Sequence, residues 1–175
     1  MQYVNKTIIL TGMMGSGKTT IGRNLACKLN RTFIDSDHEI SLASGLTIKE
    51  IFEKFGENYF RVGERKIINS ILNKKKNTIL SVGGGAFIND QSREVINKMG
   101  LSVWLKASYE TLHKRLKKNI DNRPIFGDQD FETKLKELIS SREISYKKAH
   151  ISVNVDNISI SEIVKNIIKE LEKKS

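Results

Sequence analysis

Short apolar runs alternate with longer amphipathic stretches along the whole chain. The apolar runs predict five β-strands, at residues 6–11, 32–35, 78–82, 101–107 and 150–155. In the stretches between them, apolar residues recur every three or four positions, which is typical of helices with one buried face. These stretches predict helices at residues 17–30, 46–55, 58–73, 89–98, 108–118, 130–147 and from residue 159 onwards.

The alternation of strands and helices favours one fold class. Strands that are joined by helices form a parallel sheet with helices on both faces. We therefore expect a three-layer α/β/α sandwich around a five-stranded parallel sheet. Ligands of such sheets bind beyond the carboxyl ends of the strands. The residues that directly follow the strands are therefore the first candidates for chemistry.

Length and composition narrow the class of protein. The 175 residues suggest one domain, residues 1–175. No apolar run approaches the ~20 residues of a membrane span, and the first residues lack the pattern of a secretory signal. The single cysteine, Cys27, fits a reducing compartment. We therefore expect a cytoplasmic protein with no membrane partner.

The formal net charge of +10 raises the alternative of a nucleic-acid-binding NTPase. Lysine supplies 22 of the 30 basic residues, and much of it lies in short runs such as residues 73–77. Nucleic-acid sites usually combine basic with aromatic residues, and these runs contain no aromatic residue. The runs favour solvated surface, so we expect no nucleic-acid partner.

The segment GMMGSGKT, residues 12–19, matches the phosphate-loop pattern G-x-x-x-x-G-K-[ST] and lies between a predicted strand and a predicted helix. Its glycines let backbone N–H groups surround phosphate oxygens, and the helix N-terminus adds partial positive charge. A plain glycine turn is the alternative, but motif and context agree on nucleotide binding. The candidate ligands are Gly15, Ser16, Gly17, Lys18, Thr19 and Thr20. The motif alone does not separate a kinase from an ATPase, a GTPase or a regulatory module.

Two aspartates, Asp35 and Asp37, follow the short second strand. In an extended chain both carboxylates would point to the same side. One would then face a metal ion and the other a substrate hydroxyl. The alternative is a helix N-cap with a neighbouring acid.

Two helical patterns carry arginines, which bind carboxylate or phosphate in a bidentate way. Arg61 and Glu64 are three positions apart and share a helix face. A weak surface salt bridge is the alternative interpretation of that pair. Arg142 and Tyr146 are four positions apart, where a solvated helix face is the alternative. Three glycines at 83–85 end the third strand, and bare backbone there indicates that something comes close.

Taken together, the phosphate loop, Asp35-x-Asp37, Phe60-Arg61 with Glu64, the glycine triplet, Arg123-Pro124 and Arg142-x-x-x-Tyr146 resemble the shikimate kinase family over essentially the whole chain. The resemblance implies a nucleoside-monophosphate-kinase-like fold. It also implies transfer of the ATP γ-phosphoryl group to the 3-hydroxyl of shikimate, a step of aromatic amino-acid biosynthesis. ATP and Mg²⁺ would be the cofactors, shikimate the small-molecule partner, and the protein a monomer.

The resemblance also implies roles on the acceptor side, within a shikimate-binding helical region at about 36–73. Asp37 would hold the reacting hydroxyl and accept its proton. Arg61 and Arg142 would bind the substrate carboxylate, with Glu64 fixing Arg61. The backbone of the triplet would meet the ring hydroxyls, and an apolar wall would complete the pocket. The residues concerned are Gly83, Gly84 and Gly85 for the backbone and Phe52 and Phe60 for the wall.

On the nucleotide side, the resemblance implies that Arg115 and Asn157 contact the adenine. Arg123 would be the arginine of a mobile lid at about 112–127, in a polar, turn-rich stretch. Ser81 stands where many P-loop proteins have a metal-binding aspartate. Support for the metal ion then has to come from Thr19, Asp35, phosphate oxygens and water.

Other small-molecule kinases of the same fold, such as gluconate kinase or a nucleotide kinase, are the nearest alternatives. A nucleotide acceptor would need a base pocket and arginines for its phosphate. The acceptor side of this chain instead offers two carboxylates, Asp35 and Asp37, and two arginines, Arg61 and Arg142. This set favours an acceptor that carries hydroxyls and one carboxylate.

Overall fold

The structure, a computed structural model, describes residues 6–117 and 130–174. Its strands are β1 (Thr7–Thr11), β2 (Thr32–Asp35), β3 (Thr78–Ser81), β4 (Gly100–Lys106) and β5 (Ile151–Asn154). They form one sheet in the order β2-β3-β1-β4-β5, and all neighbouring pairs are parallel. All five residues of β1 are buried, as expected for a central strand covered on both faces.

Helices connect the strands and cover both faces of the sheet. In the described residues they are α1 (Lys18–Leu29), α2 (Ser36–Ser44), α3 (Ile48–Lys74), α4 (Asp90–Met99), α5 (Tyr109–Leu116), α6 (Phe131–Tyr146) and α7 (Ile160–Lys173). A capping box between Thr47 and Glu50 starts α3. No helix within these ranges is long and apolar enough to cross a membrane.

Two apolar cores flank the sheet, because successive strand residues point to opposite faces. In β1, Ile8 and Leu10 belong to a core with α1 and α7, whereas Ile9 belongs to a core with α3, α4, α5 and α6. The three-layer α/β/α fold that the alternating pattern predicts is therefore confirmed. A third, small cluster around Ile40, Ile51 and Phe60 joins α2 to α3.

The chain between β2 and β3 departs from the prediction in two places. Helix α2 occupies a segment for which the sequence pattern predicts no element, and it begins directly after β2 because the side chain of Asp35 caps it. The helices expected at 46–55 and 58–73 form one element, α3, which is broken at Gly56. The backbone of Gly56 has φ 77°, a left-handed value that favours glycine.

Candidate functional site

The loop between β1 and α1 has the backbone form of a phosphate-binding loop. Gly15 and Gly17 have φ of 80° and 95°, where a side chain would strain the backbone. The Lys18 ammonium donates hydrogen bonds to the carbonyl oxygens of Gly12 (2.9 Å) and Met13 (3.0 Å). The lysine therefore lies across the loop.

A cavity of about 310 Å³ opens between this loop and the carboxyl ends of β2 and β3. It is lined by Met14, Gly15, Gly17, Lys18, Thr19, Thr20, Asp35, Asp37, Ser81, Val82 and Gly84. Ser16 is buried beside it, and its hydroxyl oxygen has no hydrogen-bond partner in the structure. The fold thus brings both aspartates and the middle of the glycine triplet to the phosphate loop.

Two side chains with oxygen atoms of the kind that bind hard metal ions lie together in this cavity, those of Thr19 and Asp35. The Thr19 hydroxyl donates a hydrogen bond of 2.9 Å to Asp35 Oδ2. Mg²⁺ prefers oxygen ligands and usually keeps several waters, so it needs only one or two protein groups beside phosphate oxygens. Thr19 and Asp35 therefore fit a magnesium ion held between the protein and a nucleotide.

Asp37 reaches the cavity by a different route from the expected one. The extended geometry inferred for Asp35 and Asp37 is wrong, because the backbone turns into α2 at Ser36. Asp35 is the N-cap of that helix, and its Oδ1 accepts a hydrogen bond of 3.1 Å from the Asp37 N–H. The N-cap alternative is therefore correct for Asp35, yet both carboxylates still line one cavity.

Asp37 is half-buried, and its Oδ1 atom is fully buried. Burial raises its pKa, and the charge of Asp35 raises it further, while Lys18 and Arg61 act in the opposite direction. Asp37 Oδ1 has no hydrogen-bond partner in the structure. A buried carboxylate oxygen without a partner costs free energy unless a ligand group reaches it.

Glu64 lies beside Asp37 at the first glycine of the triplet. A Cβ at Gly83 would lie 2.5 Å from Glu64 Oε1 and 2.9 Å from Asp37 Oδ1. Glu64 is 1% exposed, and burial raises its pKa while Arg61 lowers it. Gly83 is therefore needed so that two carboxyl groups can approach the end of β3.

Arg61 is fixed by acidic residues on its own helix. Its Nη1 donates to Glu64 Oε2 (2.8 Å), and its Nη2 donates to the exposed Glu57 (3.0 Å). The Arg61–Glu64 pair is largely buried, so the alternative of a weak surface salt bridge is wrong for it. A Cβ at Gly85 would lie 2.4 Å from Arg61 Nη2, so this glycine makes room for the guanidinium.

Arg142 enters the site from α6. It is 8% exposed, and its Nη1 has no hydrogen-bond partner in the structure. That atom would lie 3.5 Å from a Cβ at Gly84. Tyr146, one turn later on α6, is 1% exposed, so the alternative of a solvated helix face is wrong for both residues. A buried guanidinium with a free donor is suited to bind an anionic group.

The predicted aromatic wall lies next to Arg61. The rings of Phe52 and Phe60 are 4.8 Å apart between centroids. Phe60 is buried in the small cluster of α2 and α3, and Phe52 packs against that cluster. The Arg61 guanidinium lies over the Phe60 ring, 5.1 Å from its centroid. This contact is a cation–π interaction, which helps to orient the arginine.

The predicted adenine contacts line a separate cleft of about 580 Å³. Arg115 and Asn157 lie in it together with Thr111, Lys114 and Ile158. Arg115 Nη1 donates to the carbonyl oxygen of Gly15 (3.1 Å), which joins α5 to the loop. Arg123 and most of the expected lid at 112–127 lie outside the described residues.

Sequence reasoning missed two residues of the site, Ser36 and Glu57. Ser36 is fully buried and accepts a hydrogen bond of 3.2 Å from the Gly83 N–H, which joins α2 to the triplet. No sequence pattern marks Ser36 as a site residue, although it lies directly before Asp37. Glu57 has a signal, because it precedes Arg61 by four residues on one helix face. Tyr146 belongs to the quoted motif, but its burial depends on tertiary packing.

The chain is similar to known proteins in both sequence and structure. A family model described as "Shikimate kinase" matches residues 14–172. A shikimate kinase from Zymomonas mobilis is 44% identical over 166 residues, which are 95% of this chain and 93% of that protein. The structure of "Shikimate kinase from Acinetobacter baumannii in complex with shikimate" superimposes with TM-score 0.92 at 35% identity, over 97% of this chain and 94% of that one. A shikimate kinase structure from Bacteroides thetaiotaomicron gives TM-score 0.87 at 31% identity, covering 96% and 99%.

Proposed function

The chain belongs to the shikimate kinase family, and on that premise we propose that the described site transfers the γ-phosphoryl group of ATP to the 3-hydroxyl of shikimate. The products are shikimate 3-phosphate and ADP. The reaction is the family's step in the pathway to the aromatic amino acids. A phosphoryl group of ATP and an acceptor hydroxyl must then meet at one carboxylate.

One observation carries the assignment of residues. Asp37 lines the phosphate-loop cavity and also lies at Gly83, beside Glu64 and within the electrostatic reach of Arg61. It is thus the group that joins the phosphate side of the site to the side with the two arginines. A hydroxyl that accepts a phosphoryl group has to occupy this junction.

On the phosphate side, the chain supplies positive charge and backbone donors. Phosphoryl transfer passes through a loose transition state, so catalysis rests on positioning and on charge stabilisation. Lys18 holds the outer phosphates, while the N–H groups of Gly15 to Thr19 and the N-terminus of α1 hold the inner ones. Arg115 and Asn157 bind the adenine in the cleft beside α5. Arg123 is proposed to approach the phosphates.

On the acceptor side, Arg61 and Arg142 bind the carboxylate of shikimate. Nη1 of Arg142 supports this role, because it has no hydrogen-bond partner in the part of the chain that the structure describes. Asp37 orients the 3-hydroxyl and takes its proton late in the reaction, because the loose transition state makes little demand on a strong base. The triplet backbone meets the other hydroxyls, and Phe52 and Phe60 cover the apolar part of the ring.

Thr19 and Asp35 are proposed to hold Mg²⁺, which when bound would neutralise charge on the phosphate oxygens. Their hydrogen bond of 2.9 Å supports a shared ligand position. We further propose a cytoplasmic monomer with no nucleic-acid partner. The lysine runs without aromatic residues and the single Cys27 support this part of the proposal.

An acceptor panel tests the function. ADP release is measured with ATP and, in turn, shikimate, gluconate, nucleoside monophosphates and RNA. We expect release that depends on shikimate, with formation of the 3-phosphate seen by mass spectrometry. Release that depends on gluconate or a nucleotide would assign the chain to another kinase. Release that depends on RNA or on no acceptor would refute the kinase proposal.

The carboxylate site predicts a split between the two Michaelis constants. Arg61→Leu and Arg142→Leu should each raise the KM for shikimate far more than the KM for ATP, because each removes one donor pair to the carboxylate. Loss of a charge-assisted contact of about 2 kcal/mol corresponds to roughly 30-fold. The measurement is steady-state kinetics with each substrate varied in turn.

Arg65→Leu is the matched control, because Arg65 lies on α3 near Arg61 but bonds to Gln91 on α4. It should leave both constants near those of the original chain. A shikimate analogue with an amidated carboxylate adds a second criterion. The amide should bind poorly to the original protein. In the two variants, its affinity should fall less than the affinity of shikimate does. Equal binding of acid and amide to the original protein would rule out the carboxylate site.

A further inference from the structure

Tyr146 is a buried polar residue for which the mechanism above has no role. It is the last residue of α6, is 1% exposed, and stacks on Trp104 of β4 with 5.9 Å between ring centroids. Burial raises the pKa of its hydroxyl to about 12. The group is therefore protonated at neutral pH and acts as a hydrogen-bond donor.

The hydroxyl is directed at the glycine triplet. Tyr146 Oη donates a hydrogen bond of 2.5 Å to the carbonyl oxygen of Gly84. The same hydroxyl lies 3.9 Å from the sulfur of Met13 in the phosphate loop. A buried donor and a backbone acceptor that pair at this distance restrict how far the peptide can move.

Gly84, like Asp37, lies between the phosphate loop and the arginine side of the site. A Cβ at this position would lie 3.4 Å from the Gly12 carbonyl oxygen, 3.5 Å from the Met14 nitrogen and 3.5 Å from Arg142 Nη1. A shift of the Gly84 peptide therefore changes its distance to the arginine and to the phosphate loop together.

Arg142 and Tyr146 reach this glycine from one helix face. They are four positions apart on α6, so both side chains lie on the same side of the helix. The hydroxyl of the tyrosine holds the peptide and also interacts with the guanidinium of the arginine. Nη1 of that guanidinium has no hydrogen-bond partner among residues 6–117 and 130–174. The spacing between the carboxylate-binding arginine and the hydroxyl-binding backbone thus depends on the tyrosine.

We propose that Tyr146 is a positioning residue that, through its hydrogen bond to the Gly84 carbonyl, holds the glycine triplet at the distance from Arg142 that the acceptor requires. The inference rests on the proposed function and adds to it. An acceptor bound by its carboxylate at one end and by its hydroxyls at the other is sensitive to this distance. ATP is less sensitive, because its ligands lie on the loop itself.

The test is Tyr146→Phe, which removes the hydroxyl and keeps the ring stacked on Trp104. We expect the KM for shikimate to rise roughly tenfold, as for the loss of one buried hydrogen bond. The KM for ATP should change less than about twofold, since the tyrosine approaches the loop only through a weak thioether contact. Tm and circular dichroism record any loss of stability.

Ser102→Ala is the matched control. Ser102 is a fully buried hydroxyl residue near the start of β4, and its Oγ lies 2.7 Å from Asn97 Oδ1 and 2.9 Å from His150 Nδ1. It lies near the amino-terminal end of β4, whereas the site lies beyond the carboxyl ends of the strands. We expect this variant to lower Tm as Tyr146→Phe does, but to leave the KM for shikimate unchanged.

A double variant separates positioning from general stability. In the Arg142→Leu background, Tyr146→Phe should change the KM for shikimate by less than about threefold. The tyrosine sets the distance between the Gly84 backbone and Arg142, and that distance no longer matters once the arginine is gone. Equal effects in both backgrounds, or a KM no more altered than in Ser102→Ala, would overturn the proposal.

The same assays keep two failures apart. If the original chain releases no ADP with shikimate, the proposed function is wrong and the role of Tyr146 falls with it. If the original chain is active and Tyr146→Phe binds shikimate normally, only the positioning role is wrong.

Discussion

Lys18→Ala should lower kcat/KM by roughly 10²–10³, the usual cost of losing one contact to developing charge. The Lys18 ammonium lies across the phosphate loop, and we assign to it the contact with the outer phosphates. Its removal takes away charge where the transferred group becomes negative. The measurement is the coupled ADP-release assay at saturating and at limiting ATP.

Lys28→Ala is the matched control for this variant. Lys28 lies in the last turn of α1, on the same helix that Lys18 begins, and is exposed. The Lys28→Ala substitution removes an equal charge from the same helix but far from the loop, so we expect near-normal turnover. A folded Lys18→Ala protein with turnover close to that of Lys28→Ala would contradict the role assigned to Lys18.

Asp37→Asn should lower kcat by about 10² or more while ATP binding stays nearly intact. The substitution keeps the size of the side chain but removes its charge and its ability to accept a proton. Partial burial raises the pKa of the Asp37 carboxyl, so the neutral amide should not destabilise the fold. We expect its Tm to equal or exceed that of the original chain.

Asp35→Asn is the paired variant, because Asp35 lies two residues earlier and lines the same cavity. Asparagine caps helices as well as aspartate does, so α2 should keep its start. The loss should act through the metal ion. Activity should then depend more steeply on Mg²⁺ and recover in part at high concentration, because Thr19 and the phosphate oxygens remain as ligands.

A Mg²⁺ titration of both variants at saturating shikimate distinguishes the two aspartates. Rescue of Asp35→Asn alone is the expected pattern. Rescue of Asp37→Asn instead would mean that the two roles are exchanged. The structure supports the expected order, since Asp35 Oδ2 bonds to the Thr19 hydroxyl whereas Asp37 Oδ1 lies at Gly83.

The interpretation of the glycine triplet changed most between sequence and structure. The bare backbone predicts a close approach, and a close approach exists. At two of the glycines, however, side chains of this protein take the space of the missing Cβ. Asp37 and Glu64 take it at Gly83, and Arg61 takes it at Gly85. Approach of an acceptor to this backbone stays a prediction. A sequence pattern shows that space is needed but not which group fills it.

The sequence by itself determined the α/β/α fold and the phosphate loop, because both depend on local information. Alternating apolar runs specify strands and helices, and a loop of eight residues such as 12–19 contains its own lysine, threonine and glycines. Only the tertiary structure decided which charged and polar residues are buried. Tyr146 pairs with Gly84 across 62 positions of sequence, and Arg142 and Glu64 are buried by packing between separate helices and the sheet. Burial of such groups depends on contacts between distant segments, and these contacts exist only once the layers have packed.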